Sequence, residues 1–551
     1  MAGLVEESRR VAGVESHRHK YRISRAIIRG NHSCVHAVRY SEGEFQTHME
    51  TTPVPDISPI AAAPMRAHRD EWEERLLEHP EKLYALAAMT DGPFHVMYPG
   101  RVGRNIQGFR AAFENAQVNA YAIYYGKKAN KAACVVTECV KHGAGVDVSS
   151  IAELDSALRG LVAGRDLVVT GPAKSDELLR RAAHADALIT LDAPDELLRV
   201  LGLGIPARVT LRVRAPGSQS RFGMDDAQLD WATAKIAEAQ TTGKRILLEG
   251  FSFHLSGYRT EPRARLAHRL IDRCLAARAH CPEVSMISIG GGFGVDYVAA
   301  ADWKTFREEM TDSWFHAGRM PAPDNLYPYH FENPGPGMLT EILLTEQAES
   351  GRTLADRLNE HRVRLAIEPG RALLDRAGST VFRVQGVKEL DADGHRYLML
   401  TADGTSLSLS EQWFASEYLP DPELVSPPGS AADAALPACV GGASCLEDDM
   451  ISWRRIPLPR RARPGDLLVY PNTAGYQMDS NESAFHQLPV PRKIVLRDNA
   501  DGGFAVEFDE VSAVPSRRPL RLLLRSVIGW VRPKRDTRSA PALPALDARP
   551  H

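Results

Sequence analysis

The stretch "VSMISIGGGFG", residues 284–294, runs an apolar segment into three consecutive glycines. Those letters suit two architectures. In a dinucleotide-binding sheet the glycines open a βα unit, and an acidic residue follows about 20 positions on in a second unit. Here they close the seventh of a series of strand-like runs, and no second βα unit supplies that acid. Working outward, earlier runs end near "AIYYG" (122–126), "GVDVSS" (145–150), "DLVVTG" (166–171), "ALITLD" (187–192), "ARVTLRVR" (207–214) and "ILLEGFSFH" (246–254). One more, "VRLAIEPGR" (363–371), comes after. Most are separated by segments with helical spacing, such as "AELDSALRGLVAG" (152–164) and "RARLAHRLIDRCLAARAH" (263–280). Eight alternating units predict an α/β fold in which a TIM-like (β/α)8 barrel closes, rather than an open doubly wound sheet.

The flanks read differently. Residues 1–65 show little periodicity, contain the Pro-rich "METTPVPDISPIAAAP" (49–64), and are expected to be a disordered leader. Residues 66–115 read as a helical lead-in with a short strand that joins the C-terminal β domain. The barrel is expected over 116–380, with a Pro-rich insertion, "MPAPDNLYPYHFENPGPG" (320–337), before its last strand. After it the alternation stops. Short β-type runs such as "STVFRVQGVKEL" (379–390) and "RKIVLRD" (492–498) predict a C-terminal all-β domain over 381–512. Residues 513–551 form a basic, Pro-rich tail, in which "PLRLLLRSVIGWV" (519–531) reads either as a basic amphipathic helix at a membrane surface or as a loosely docked segment.

Composition excludes several function classes. Lys+Arg 67 against Asp+Glu 70 gives a net charge of −3 and no global case for nucleic-acid binding. Seven irregularly spaced cysteines make no disulfide framework, and with no CxxC pair a metal site is not expected. No run approaches the length of a membrane span. A cytoplasmic, reducing location is the expectation.

In such a barrel the reactive groups sit where strands end. Reading those ends in order gives Lys128, Asp147, Arg212, His254, Gly290–Gly291–Gly292, then Glu368 with Arg371. A nucleophilic amine, a flat ring, a glycine turn, a carboxylate and an arginine together describe a pocket for a phosphorylated aromatic aldehyde. Consecutive glycines let backbone N–H groups converge on an anion, and Arg371 adds a planar donor. Glu368 suits a pyridinium nitrogen. His254 suits a ring stacked on the cofactor, and Asp147 a supporting role. Of the paired lysines in "YYGKKAN" (124–130), only one can project into the mouth if they lie on a strand. That amine is expected to have a depressed pKa.

Taken together, "YYGKKAN", "GAGVDVSSIAEL", "SRFGM", "FSFHLSG", "ISIGGGFG" and "AIEPGR" resemble the fold type III pyridoxal-phosphate decarboxylases, which include the diaminopimelate, ornithine and arginine enzymes. The resemblance runs from about Pro93 to Val511 and implies an alanine racemase-like barrel with pyridoxal 5'-phosphate as cofactor. It implies Lys128 as the Schiff-base lysine, with Asp147, Arg212, His254, Ser256, Gly290, Gly291, Gly292, Glu368, Gly370, Arg371 and Tyr476 around the cofactor. "GGASCLEDD" (441–449) is similar to the family's cysteine loop, which implies that Cys445 acts across a homodimer interface. The chain departs from the pattern at Leu446, where the family places an acid for the substrate's distal amine. Glu447 or Asp448 stands in, Asp449 keeps the family's fourth-position acid, and Glu447 and Asp449 are the candidate substrate contacts. The order Leu255-Ser256-Gly257 and the insertion around Tyr327–Glu341 depart too. A substrate of the diaminopimelate, ornithine or lysine kind, or a derivatised amino acid of a siderophore-type pathway, fits these departures. Two rivals remain open: an amino-acid racemase, and a non-catalytic homologue that binds the same cofactor.

Overall fold

The computed structural model describes residues 59–409, 417–430, 433–479 and 483–509. The expectations for residues 1–58 of the leader, for the end of the β domain at 510–512 and for the tail lie outside the described residues. Residues 59–65, grouped with the leader by sequence, are packed. The Ala62 N–H donates to the Arg455 carbonyl at 2.9 Å, the Met65 N–H donates to Asp421 Oδ2 at 2.8 Å, and the Met65 side chain is fully buried. A Pro-rich composition obscured this, because such a segment packs through backbone donors rather than through periodicity.

Helices α1 (Glu71–Leu77) and α2 (Pro80–Ala87) lead into strand β1 (Phe94–Met97) and helix α3 (Pro99–Asn115). The barrel then winds as β2 (Tyr121–Gly126), α4 (Ala133–Lys141), β3 (Gly145–Val148), α5 (Ile151–Arg159), β4 (Leu167–Val169), α6 (Asp176–His184), β5 (Leu188–Leu191) and α7 (Pro194–Leu203). It continues through β6 (Ala207–Arg212), α8 (Asp226–Thr241), β7 (Ile246–Ser252), α9 (Thr260–Ala277) and β8 (Met286–Ser288). The long segment after β8 contributes α10 (Ala300–Glu309), α11 (Pro336–Leu344) and α12 (Leu354–Glu360) before β9 (Arg364–Ile367). All eight strands pair in parallel with their neighbours, and β2 pairs with β9 to close the ring. Each of the eight runs read from sequence is one of these strands.

Strand alternation sorts the side chains. Ile123, Tyr125, Val146, Val148 and Ile287 turn outward into the main core against the helices. Tyr124, Val168, Leu188, Met286 and Ala366 form a separate apolar cluster inside the barrel. Nearer the strand starts, Glu249 accepts from Arg208 Nε at 2.5 Å and from Arg364 Nη2 at 3.3 Å. Two residues beyond Met286 and Ala366 come Ser288 on β8 and Glu368 just after β9, and Asp147, between outward Val146 and Val148, takes the inward place on β3. The mouth is therefore polar because the alternation leaves polar types at its last inward positions.

The second layer is a mixed nine-stranded sheet. It contains β10 (Gly378–Ala392), β11 (His395–Ala402), β12 (Glu423–Val425), β13 (Ala438–Gly441), β14 (Met450–Ile456), β15 (Leu467–Tyr470), β16 (Arg492–Asp498) and β17 (Phe504–Phe508), together with β1. β1 runs antiparallel to β10 and parallel to β16, so the N-terminal segment supplies an internal strand of the C-terminal sheet. A second core of Trp72, Leu76, Leu83, Leu86, Phe94, Val381, Leu467 and Ile494 fixes α1 and α2 to this sheet.

Candidate active site

β2 ends at Gly126 and the chain enters a 3-10 turn, Lys127–Ala129, so the lysine pair lies on a turn and not on a strand. The two side chains still part. Lys127 is buried and its Nζ donates to the Lys131 carbonyl at 3.0 Å, while burial pushes its pKa down. Lys128 is solvent-accessible, and its amine makes no hydrogen bond or ion pair among the described residues. The depressed pKa expected of the Schiff-base amine is found on the wrong lysine. At Lys128 burial pulls the pKa down, but Asp147, Tyr476 and Glu368 outweigh it and leave the amine raised, with Arg212 opposing them. The turn is pinned to the β domain. The Tyr476 N–H donates to the Ala129 carbonyl at 2.8 Å, and Asn130 Nδ2 donates to the Ala474 carbonyl at 2.8 Å.

Asp147 is buried at the end of β3 and accepts from Thr170 Oγ1 at 2.6 Å. Burial pushes its pKa up, the Glu368 charge adds to that, and Lys128 opposes it. Glu368 follows β9. Its backbone N–H donates to the Gly290 carbonyl at 2.9 Å, and one carboxylate oxygen accepts from Ser288 Oγ at 2.7 Å. Ser288 and Thr170 were not singled out by sequence; each is an ordinary strand-end hydroxyl until the barrel closes.

The glycine turn follows β8. A Cβ at Gly290 would lie 2.7 Å from His254 Nδ1, one at Gly291 2.6 Å from the Glu368 carbonyl, and one at Gly292 2.3 Å from Arg263 Nη2. Gly290 and Gly292 also have φ of +67° and +82°. Not all three N–H groups face outward as expected. Gly290 N–H donates to Ser288 Oγ at 3.2 Å, and Gly291 N–H to His254 Nδ1 at 3.2 Å. The Gly292 and Phe293 N–H groups make no hydrogen bond among the described residues, so the anion cradle begins at Gly292. His254 is accessible at the mouth yet stands deep among protein atoms. That desolvation, with Lys128, Arg263 and Arg212 nearby, pushes its imidazole down to about 3 and keeps it neutral. Ser256, two residues on, is exposed, and its hydroxyl makes no hydrogen bond among the described residues.

Arg371 opens the turn after Gly370. Its Nη1 donates to the Tyr297 hydroxyl at 3.1 Å and to the Gly475 carbonyl at 3.3 Å. Its guanidinium lies 4.3 Å from the Tyr327 ring centroid and 5.0 Å from that of Tyr476. The insertion thus reaches the site by walling Arg371 with Tyr327, a role its Pro-rich letters did not disclose. Tyr476 itself holds a φ of +73°, an uncommon backbone region for a bulky residue. Arg212 donates to Asp192 Oδ1 at 3.2 Å and lies 4.4 Å from the Phe222 ring.

The cysteine loop follows β13. Cys445 is the one exposed thiol of the six described, and its Sγ lies 3.1 Å from His486 Nε2. Asp449, considered for a substrate amine, is buried. Its oxygens accept from the Ser406 N–H at 2.7 Å and the Ser444 N–H at 3.0 Å, so it closes the loop on itself. Asp448 pairs with Arg319. Glu447 is exposed and lies near His316.

A closed barrel whose mouth gathers an amine, a neutral imidazole, a paired carboxylate and an anion turn defines the class of pyridoxal-binding barrels. Residues 100–325 match the family model of the pyridoxal-dependent decarboxylase pyridoxal-binding domain. An uncharacterized protein of Sinorhizobium fredii, y4yA, is 37% identical over 443 residues, spanning 79% of this chain and 94% of that one. The diaminopimelate decarboxylase of Bacillus subtilis is 23% identical over 447 residues, 77% of this chain and 90% of that one. Among solved structures, diaminopimelate decarboxylase from M. jannaschii in complex with L-lysine superposes with a TM-score of 0.58 at 17% identity, covering 77% of this chain and 91% of that one. Lysine/ornithine decarboxylase from Vibrio vulnificus with cadaverine gives 0.57 at 17%, covering 76% and 97%. The chain belongs to the fold type III pyridoxal-phosphate-dependent decarboxylases, and pyridoxal phosphate is the cofactor of that family. The residues present fit it: the glycine turn has no room for a Cβ and leaves the Gly292 and Phe293 N–H groups without acceptors among the described residues. No group of three or more metal-binding side chains occurs among the described residues. Nor is any helix there long and apolar enough to cross a membrane.

Proposed function

We propose that this chain removes the α-carboxylate of an amino acid, with Lys128 as the amine that carries the cofactor. The observation that carries this reading is the division of labour in the lysine pair, in which Lys127 is buried on a carbonyl and Lys128 is solvent-accessible, with the charges of Asp147 and Glu368 raising its pKa. Pyridoxal phosphate, when bound, supplies a carbonyl for a substrate amine and a ring that accepts the electron pair left by departing CO2.

The chain's residues supply placement and charge. Glu368, steadied by Ser288, keeps one carboxylate oxygen for a ring nitrogen and holds a proton there. His254 offers a flat neutral face and adds no charge to the mouth. The Gly292 N–H, the Ser256 hydroxyl, Arg371 and Tyr476 are assigned to the phosphate, with Gly370 giving the Tyr476 hydroxyl its close approach. Arg212 and Asp147 set the potential around Lys128. Lys128, or Cys445 of a second copy, would return a proton to the α-carbon. Exposure of Cys445 and its contact with His486 suit that role, and a homodimer with shared sites follows from it. Glu447 is the remaining acid of the loop for a substrate's distal group.

The names of the relatives favour decarboxylation over racemisation or silent cofactor binding. Substrates of the diaminopimelate, ornithine or lysine kind come first, and derivatised amino acids of siderophore-type routes second. The test is CO2 release from a panel of such amino acids alongside loss of optical rotation. Decarboxylation with one of them, abolished in Lys128→Ala, is expected. Loss of rotation without CO2 would replace this reading with a racemase.

A further inference from the structure

Arg263 stands in a segment whose letters, "EPRARL" (261–266), read as the start of a solvent-facing helix. The structure buries it to 1% exposure on the first turn of α9, behind the glycine turn. A guanidinium so placed ordinarily meets a carboxylate. Arg263 forms no ion pair among the described residues, and its Nε has no hydrogen bond. Its donors go instead to three carbonyls on two loops: Nη1 to Gly291 at 2.8 Å, and Nη2 to Leu255 at 3.1 Å and Gly257 at 2.5 Å.

In a trans peptide the carbonyl and the following N–H point in opposite directions. Holding the Gly291 carbonyl therefore turns the Gly292 N–H away from Arg263, and holding the Leu255 carbonyl does the same for the Ser256 N–H. Neither of those N–H groups has an acceptor among the described residues. Two loops thus present free donors on the side away from one buried cation. The absent Cβ of Gly292 lets the guanidinium stand directly behind the turn, where a methyl group would lie 2.3 Å from Nη2.

We infer that Arg263 is a positioning residue for the cofactor's phosphate, aiming the Gly292 and Ser256 N–H groups at the dianion and balancing its charge from behind without touching it. The inference rests on the cofactor reading above and assigns a residue that reading does not use. Burial lowers the Arg263 pKa to about 10, which still leaves the side chain charged at neutral pH and in want of an anion.

The test compares two probes that differ only in the phosphate. Binding of pyridoxal phosphate and of pyridoxal to the full-length chain is measured by fluorescence quenching for wild type, Arg263→Met and Arg263→Lys, with thermal melts alongside. Arg263→Met is expected to weaken pyridoxal phosphate by about tenfold or more, as for loss of a charge-assisted donor set. Pyridoxal binding is expected to stay within about twofold. Arg263→Lys, which keeps the charge and loses the fork, is expected to fall between. Equal weakening of both probes, or no change in either, would overturn the assignment. If Arg263→Met does not fold, Arg263→Lys carries the test alone, and an unchanged ratio of the two affinities counts against it. Wild type that binds neither probe would instead remove the cofactor reading itself.

Discussion

His254 shows how position alone sets a charge state in this mouth. Its imidazole is held near 3 by desolvation and by surrounding cations, against about 6.5 in an unfolded chain. Because the folded pKa is depressed, the stability this group contributes is present above about pH 6.5 and is lost as pH falls toward 3. We expect the His254 ring carbons to show no titration between pH 5 and 8 by NMR; a midpoint near 6.5 would mean that the ring sits in bulk solvent. The residues legible in the sequence, Lys128, His254, Glu368 and Arg371, are chemically distinctive types at strand ends. Ser288 and Thr170 were not legible, because each acquires its partner only when neighbouring barrel strands pair, and Arg263 was not, because its helical letters read as solvent-facing although its acceptors are loop carbonyls. Asp449 misled for the opposite reason: an acid in a loop looks available until backbone N–H groups claim it.

At the scale of elements, α1 joins the sheet through a buried acid. Glu73 accepts from Ser379 Oγ, and desolvation pushes its carboxyl up to about 8. The sign follows from the raised folded pKa. Below about pH 4.5 both states are protonated and the contribution is full; as pH rises to 8 the unfolded chain releases its proton and stability falls. Glu73→Gln, which mimics the neutral acid, should melt close to wild type at pH 4.5 and above it at pH 8. At roughly 1.4 kcal/mol for each tenfold change in proton affinity, the difference across that window is on the order of a few kcal/mol. A variant less stable than wild type at pH 8 would show that the charged form has a partner. This contact was beyond the sequence because it joins positions 73 and 379. The eight barrel strands were within it, since their spacing recurs, and so was β1 as a strand joining the β domain.

At the scale of the whole molecule, the proposed second copy supplies Cys445 to the mouth that holds Lys128. Lys128→Ala and Cys445→Ala should each be weak or inactive alone, and mixing them after dissociation should restore up to about a quarter of wild-type activity through mixed dimers. Mixtures no better than their components would place both residues in one chain's own site. Sequence carried the barrel and the sheet because each is built from repeated local patterns. It did not carry the packing of residues 59–65 or the Tyr327 wall on Arg371, which depend on distant segments meeting. The central claim is the tether, and borohydride reduction of freshly purified holoenzyme, followed by proteolysis and fragment-ion mapping, tests it most directly. A phosphopyridoxyl group on Lys128, absent from Lys128→Ala and retained in Lys127→Ala, is the predicted result. The same group on Lys127, or on neither lysine of a chain that still releases CO2, would contradict the account.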